Sequence, residues 1–241
     1  MNRVGCFACL CFACLVAAPA EAGEKAGFLN KVFKGDGGEA KYIVFVPRAY
    51  TGEKEFPVIL FLHGAGETGS DGVKQAAVGL GKAIRDKKED FPFIVVFPQS
   101  QKRTWRAGSD DADRALAILE QVHKDYKTDR KRVYLTGLSM GGFGTWSLAA
   151  AHPDRWAAIA PICGGGDTKT AAKIKDLPIW NFHGDADKAV NVKLSRAMID
   201  AIKKAGGNPR YDEYPGVGHN SWDRAYGTAE LYTWFLKHSI K

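Results

Sequence analysis

The chain has 241 residues, 45% of them hydrophobic and 25% charged, which fits one globular domain and excludes a long disordered protein. Its net charge of +7 is dispersed through segments that mix lysine with acidic residues. No basic block marks a nucleic-acid interface, so the charge reads as serving solubility alone, with attraction to acidic substrates or surfaces as the alternative.

Residues 1–22, MNRVGCFACLCFACLVAAPAEA, place Arg3 before an apolar run from Val4 to Ala18 and end on the small-residue site Ala20-Glu21-Ala22. This is the pattern of a secretory signal peptide, too short for a membrane span, with export to the periplasm or beyond as the expectation. Cys6, Cys9, Cys11 and Cys14 fall in this run without the Leu-small-small pattern of a lipid-attachment site. Cleavage after Ala22 leaves Cys163 as the sole cysteine, so the mature fold rests on its core and not on disulfides. No other segment approaches about 18 continuous apolar residues, so no stable membrane insertion of residues 23–241 is expected.

Residues 23–40 leave two readings open, a loose arm or an edge hairpin. Seven short apolar or β-branched runs then follow: Tyr42–Val46, Val58–Leu62, Phe93–Phe97, Val133–Thr136, Ala157–Ile162, Ile179–Phe182 and Arg210–Tyr214. Several are apolar throughout, as strands covered on both faces are. Helical stripes lie between and after them: Ala112, Ala115, Leu116, Leu119 and Val122; Val192, Leu194, Met198, Ile199 and Ile202; Leu231, Trp234 and Phe235. This alternation predicts an α/β fold, a mostly parallel sheet with helices on both faces, in a single domain over 23–241. Ligands in such a fold collect at the carboxyl ends of the strands.

At one of those ends, Val133–Thr136 runs into Gly137-Leu138-Ser139-Met140-Gly141-Gly142, and a helical segment follows. Gly-x-Ser-x-Gly between strand and helix is a turn too sharp for neighbouring side chains, and it exposes the serine hydroxyl at a helix N-terminus. A serine hydroxyl needs a base, and the base needs a group that holds its tautomer. Of six histidines, His219, in GVGHNSW after the last strand, is the best placed base. His123, His152 and His238 read as surface residues. His183 reads as a buried histidine bonded to its turn. Asp187, on the loop after the penultimate strand, is the candidate acid. Asp185 is its rival, and helix capping or an Asx-turn is the bland alternative for either. The order Ser139, Asp187, His219 is the order expected of α/β-hydrolases. For the oxyanion, the backbone N–H of Met140 and one from His63-Gly64-Ala65-Gly66 are the candidate donors, with Ala65 ahead of Gly66. Trp105, Trp222 and Tyr226 either line a substrate pocket or pack in the ordinary way.

These motifs, with LHGAGETG at 62–69, FPQ at 97–99 and FHGDADKAV at 182–190, resemble the α/β-hydrolase superfamily, and within it small carboxylesterases of the phospholipase/carboxylesterase and feruloyl-esterase type. The resemblance implies Ser139 as nucleophile, Asp187 as acid and His219 as base, with no metal or organic cofactor; the segment from Ser139 to Asp187, a strand, a Gly164-Gly165-Gly166 turn and one short helix, leaves little room for a large lid. It implies a secreted serine esterase acting on carboxylic esters, either small molecules or acyl and phenolic groups on polysaccharides. Dienelactone hydrolases are similar in outline but use cysteine where this chain has Ser139. Cys163 follows a different strand and reads as a small buried hydrophobe. Two other functions compete: a peptidase like the prolyl-oligopeptidase catalytic domain, and a ligand-binding protein that keeps the fold without turnover.

Overall fold

A computed structural model of the chain describes residues 26–35, 37–87 and 91–241; the expected signal peptide, 1–22, lies outside them. Eight strands form one sheet: β1 (Gly27–Gly35), β2 (Gly38–Val46), β3 (Phe56–Leu62), β4 (Ile94–Phe97), β5 (Thr128–Leu138), β6 (Ala158–Ile162), β7 (Trp180–Gly184) and β8 (Arg210–Tyr214). Their spatial order is β1-β2-β4-β3-β5-β6-β7-β8. From β4 to β8 every pairing is parallel, while β2 runs antiparallel to both β4 and β1. For the described part of residues 23–40 the structure shows a hairpin: β1 and β2 are an antiparallel edge pair in register from Gly27 opposite Val46 to Gly35 opposite Gly38.

Six helices complete the described fold: α1 (Leu80–Asp86), α2 (Asp110–Asp125), α3 (Met140–Ala151), α4 (Lys193–Lys204), α5 (Trp222–Gly227) and α6 (Ala229–Leu236). Alternate residues of β3 show how the layers are made. Val58, Leu60 and Leu62 join the core shared with α2, α3 and α4, whereas Ile59 and Phe61 join the core shared with α1, α5 and α6. Period-two side-chain alternation thus feeds two apolar layers from one strand. Each fully buried large side chain in them contributes about 1.5–3 kcal/mol relative to exposure.

The predicted stripe of α2 is almost wholly inward: Ala112, Ala115, Leu119 and Val122 are buried, and Ser109 caps the helix by accepting from the Ala112 amide. In α4 the expectation needs one correction. Met198, Ile199 and Ile202 are buried, but Leu194, placed in the same stripe, is 42% exposed. It sits at the mouth of a cleft described below. Among the described residues no helix is long and apolar enough to cross a membrane.

Candidate active site

The turn between β5 and α3 forces Ser139 into φ 53° and ψ −116°, a region that residues with a Cβ rarely occupy and that recurs at functional turns. Glycine on either side is required sterically: a Cβ on Gly137 would lie 2.4 Å from the Gly141 carbonyl oxygen, and one on Gly141 only 1.9 Å from that of Leu62. The Ser139 amide is tied to the Ile162 carbonyl at 3.0 Å, which fixes the turn on the neighbouring strand. The hydroxyl therefore stands at the carboxyl end of the sheet with α3 starting beneath it.

Two loops complete the arrangement. His219, between β8 and α5, has Nε2 2.9 Å from Ser139 Oγ and Nδ1 2.7 Å from Asp187 Oδ2. Asp187, after β7, accepts the Ala189 and Val190 amides on its other oxygen at 2.8 and 2.9 Å. Burial opposes ionisation of Asp187, but the His219 hydrogen bond and those two amides outweigh it and hold the carboxyl below its usual range. An ionised Asp187 fixes His219 as the tautomer with Nδ1 protonated and Nε2 free to accept from the serine hydroxyl. The rival, Asp185, turns the other way and accepts the Gly216 amide at 2.7 Å.

His183 is buried, as expected, and Nε2 reaches the Val190 carbonyl of its own turn at 3.0 Å. It also lies 3.1 Å from Asp187 Oδ2, a contact not anticipated from sequence. Ser195 Oγ is 2.7 Å from His183 Nδ1. Burial lowers the His183 pKa, so the ring is neutral, donating from Nε2 and accepting at Nδ1.

The loop after β3 is held by a second histidine. His63 is fully buried; Nδ1 donates to the Gly64 carbonyl at 2.6 Å and Nε2 accepts the Ser100 amide at 2.9 Å. Burial depresses its pKa to about 4, which keeps the ring neutral and permits this donor-acceptor pair. Gln99, the last residue of the FPQ motif, reinforces the loop by donating to the Glu67 carbonyl at 3.0 Å and accepting the Gly72 amide at 2.7 Å. Ala65 and Met140 each open a helical segment, a short 3-10 turn and α3 respectively. Their N–H groups consequently have no partner within those segments. The two loops abut: a Cβ on Gly64 would come within 2.7 Å of the Leu138 side chain.

A cleft of about 740 Å³ opens beside Ser139 and runs along α3. Phe143, Trp146 and Leu194 give it an apolar wall, and Arg103 and Arg106 border it on another side. Trp105 lines it while being only 1% exposed; its indole N–H donates to the His63 carbonyl at 3.0 Å, and its ring meets the His63 ring edge-on at 5.0 Å. Trp222 does not line this cleft. It stands edge-on to the His219 ring at 5.3 Å. Tyr226 is wholly buried, 3.0 Å from the Thr136 hydroxyl, and so belongs to the core and not to a pocket.

Cys163 lies close by, its sulfur within 4.8 Å of an Asp187 oxygen and a His219 nitrogen. Burial pushes its thiol up to about 12, which keeps it protonated and a poor nucleophile or metal ligand.

Residues 38–226 match the family model described as the Dienelactone hydrolase family, a broader likeness than the similarity in outline expected from the motifs. A bifunctional acetylxylan esterase/xylanase of Neocallimastix patriciarum is 31% identical over 157 residues, covering 61% of this chain and 23% of that protein. A probable feruloyl esterase C of Aspergillus terreus is 28% identical over 193 residues, covering 80% of this chain and 70% of the relative. The crystal structure of a thermostable esterase superposes with a TM-score of 0.77 at 33% identity, over 88% of this chain and 63% of the other. The chain thus spans about a quarter of the first relative and under two thirds of the solved esterase.

Proposed function

The chain belongs to the dienelactone hydrolase family, and from that premise we propose that it is a serine esterase that cleaves carboxylic esters through an acyl-enzyme. The observation that carries this reading is the unbroken hydrogen-bonded chain from Asp187 through His219 to Ser139, ending on a strained turn. In the proposed cycle His219 Nε2 takes the proton from Ser139 Oγ as that oxygen attacks the ester carbonyl. The carbonyl oxygen becomes an oxyanion held by the Met140 and Ala65 amides. His219 returns the proton to the departing alcohol oxygen, and water, activated by the same ring, releases the acid and frees Ser139.

The relatives named as an acetylxylan esterase/xylanase and a feruloyl esterase support acyl or phenolic esters on polysaccharides as the substrate class. The cleft is large enough for an aromatic acyl group, and its Phe143, Trp146 and Leu194 wall suits one. The signal-peptide pattern of residues 1–22 supports hydrolysis outside the cytoplasm, where such polymers lie.

The test compares hydrolysis of a short-chain aryl ester by the purified protein and by Ser139→Ala at equal concentration. We expect activity in the parent and a fall of about 10³-fold or more in the variant. Equal rates overturn the assignment of Ser139. Release of ferulate or acetate from decorated xylan then tests the substrate class.

A further inference from the structure

A second groove, of about 500 Å³, opens at the amino ends of β7 and β8, whereas Ser139 stands at the carboxyl end of the sheet. The segments that lead into β7 and β8 line it, together with Trp234 of α6 and His238 just beyond that helix. The two segments meet backbone to backbone: a Cβ on Gly207 would lie 2.4 Å from the Lys175 carbonyl oxygen, and the Arg210 amide donates to the Ile179 carbonyl at 2.8 Å. Trp234 is held in T-shaped contact with Trp180 at 5.4 Å and with His238 at 4.8 Å. His238 is fixed through its backbone, donating to the Phe235 carbonyl at 2.9 Å and accepting from the Tyr134 hydroxyl at 2.9 Å. The groove is thus preformed, and a ligand that enters it has no loop to order.

The charges that line this groove are compensated within the protein. Lys175 pairs with Asp176 at 2.7 Å. Arg210 forks onto the Glu230 carboxylate at 2.6 and 3.2 Å, and its guanidinium carbon lies 3.4 Å from the centre of the Trp180 ring. Burial lowers the His238 pKa, so that ring is neutral. Hydrogen-bonding capacity, by contrast, is left over. Among the described residues no hydrogen bond engages the Asn208 side-chain amide or the Trp234 indole N–H, and His238 Nε2, itself buried, has no partner. An aromatic ring flanked by unengaged neutral donors and acceptors, with no unpaired charge beside it, suits an uncharged polyhydroxylated ring with apolar C–H faces and polar edges.

We propose that this groove is a second binding site for the polysaccharide chain, taking unesterified pyranose units on Trp234 and Asn208 while an ester-bearing unit of the same chain reaches Ser139. The inference rests on the reading of polysaccharide-linked esters as the substrate class. β7 separates the two sites: Trp180, at its amino end, adjoins the groove, and Asp187 follows its carboxyl end. The five residues of this strand span about 17 Å at roughly 3.3 Å per residue, more than one sugar ring can bridge. A polymer that passes round the edge of the sheet reaches both sites. Each chain held at Trp234 then raises the effective concentration of its own ester groups at Ser139. The groove consequently favours polymers and leaves small esters unaffected.

The experiment is affinity electrophoresis through gels containing deacetylated xylan, which offers Ser139 no ester, with the purified protein, Trp234→Ala, Trp234→Phe and Asn208→Ala. The parent should be retarded, with binding about tenfold weaker in Trp234→Ala, partly kept in Trp234→Phe and reduced severalfold in Asn208→Ala. kcat/KM on 4-nitrophenyl acetate should stay unchanged in all three variants. On acetylated xylan below saturation, Trp234→Ala should lower the initial rate about fivefold while the rate on acetylated xylobiose stays unchanged. A parent that is not retarded, or variants retarded as strongly as the parent, overturns the second site, and the aryl-ester rates leave the esterase reading in place. Loss of aryl-ester hydrolysis in Trp234→Ala marks a packing defect, and Asn208→Ala, at an exposed position, then decides by the same criterion. Sedimentation without polymer covers the other occupant: a dimer that Trp234→Ala dissociates assigns the groove to a second copy of the chain and overturns the proposal. A parent that hydrolyses no ester overturns the esterase reading, while its retardation still reports on the groove.

Discussion

His183 Nε2 lies 3.1 Å from Asp187 Oδ2, the same oxygen that holds His219 Nδ1 at 2.7 Å. Two histidines from different loops thus converge on one carboxylate oxygen, one neutral and buried, the other reaching the serine. This contact leads us to expect that His183 acts on the site through Asp187, as a positioning residue. His183→Gln should lower kcat about tenfold with little change in KM, because one hydrogen bond to a charged group is lost while the Ala189 and Val190 amides still hold the carboxylate. Steady-state kinetics on an aryl ester separates the two parameters, and a rise in KM alone contradicts this role.

Exchanging the carboxylates one at a time distinguishes the two aspartates of this loop. Asp187→Asn should reduce kcat by about 10⁴-fold by favouring the wrong tautomer of His219. Asp185→Asn should leave kcat within about threefold, since Asp185 bonds only the Gly216 amide. Kinetic assays of the two variants side by side decide the assignment, and the reverse order of effects refutes it.

The elbow makes a prediction about stability. Gly141→Ala places a Cβ 1.9 Å from the Leu62 carbonyl oxygen, a rigid backbone atom, so the start of α3 must move away from β3 or the turn must open. A loss of about 3 kcal/mol or more is expected, together with loss of activity. Urea unfolding followed by tryptophan fluorescence measures it, and a midpoint close to that of the parent rules out this packing argument.

His63 links stability to pH. Its pKa falls from 6.5 to about 4 on folding because burial disfavours the charged ring. Between those values the unfolded chain binds a proton that the folded one does not, so stability is fully present above about 6.5 and is lost as pH drops toward 4. The slope attributable to this residue is at most about 1.4 kcal/mol per pH unit. Thermal melts from pH 7 to pH 4 should show the decline, and His63→Gln should flatten it; an unchanged slope in the variant assigns the decline to other groups.

The sequence by itself determined the layered α/β fold and the strand-turn-helix that carries Ser139, because both are written in short-range patterns. Apolar runs, helical spacing and a pair of glycines around a serine each act within about ten residues of chain. Edge strand β1 was left ambiguous for the same reason: it pairs on one side only, with β2, and so carries little apolar pattern. Only the tertiary structure shows which of Asp185 and Asp187, two residues apart on one loop, meets His219, because that depends on which way the turn aims each carboxylate. It alone moved Tyr226 into the core, exposed Leu194 at the cleft and brought His183 onto Asp187. That no ion pair engages Arg103 or Arg106 among the described residues belongs to that level as well. Composition counts charges, but which carboxylate reaches which cation is a matter of distances between segments, and after β4 those distances satisfy Lys102 and Arg114 and leave Arg103 and Arg106, which line the same cleft as Ser139, without an ion pair among the described residues.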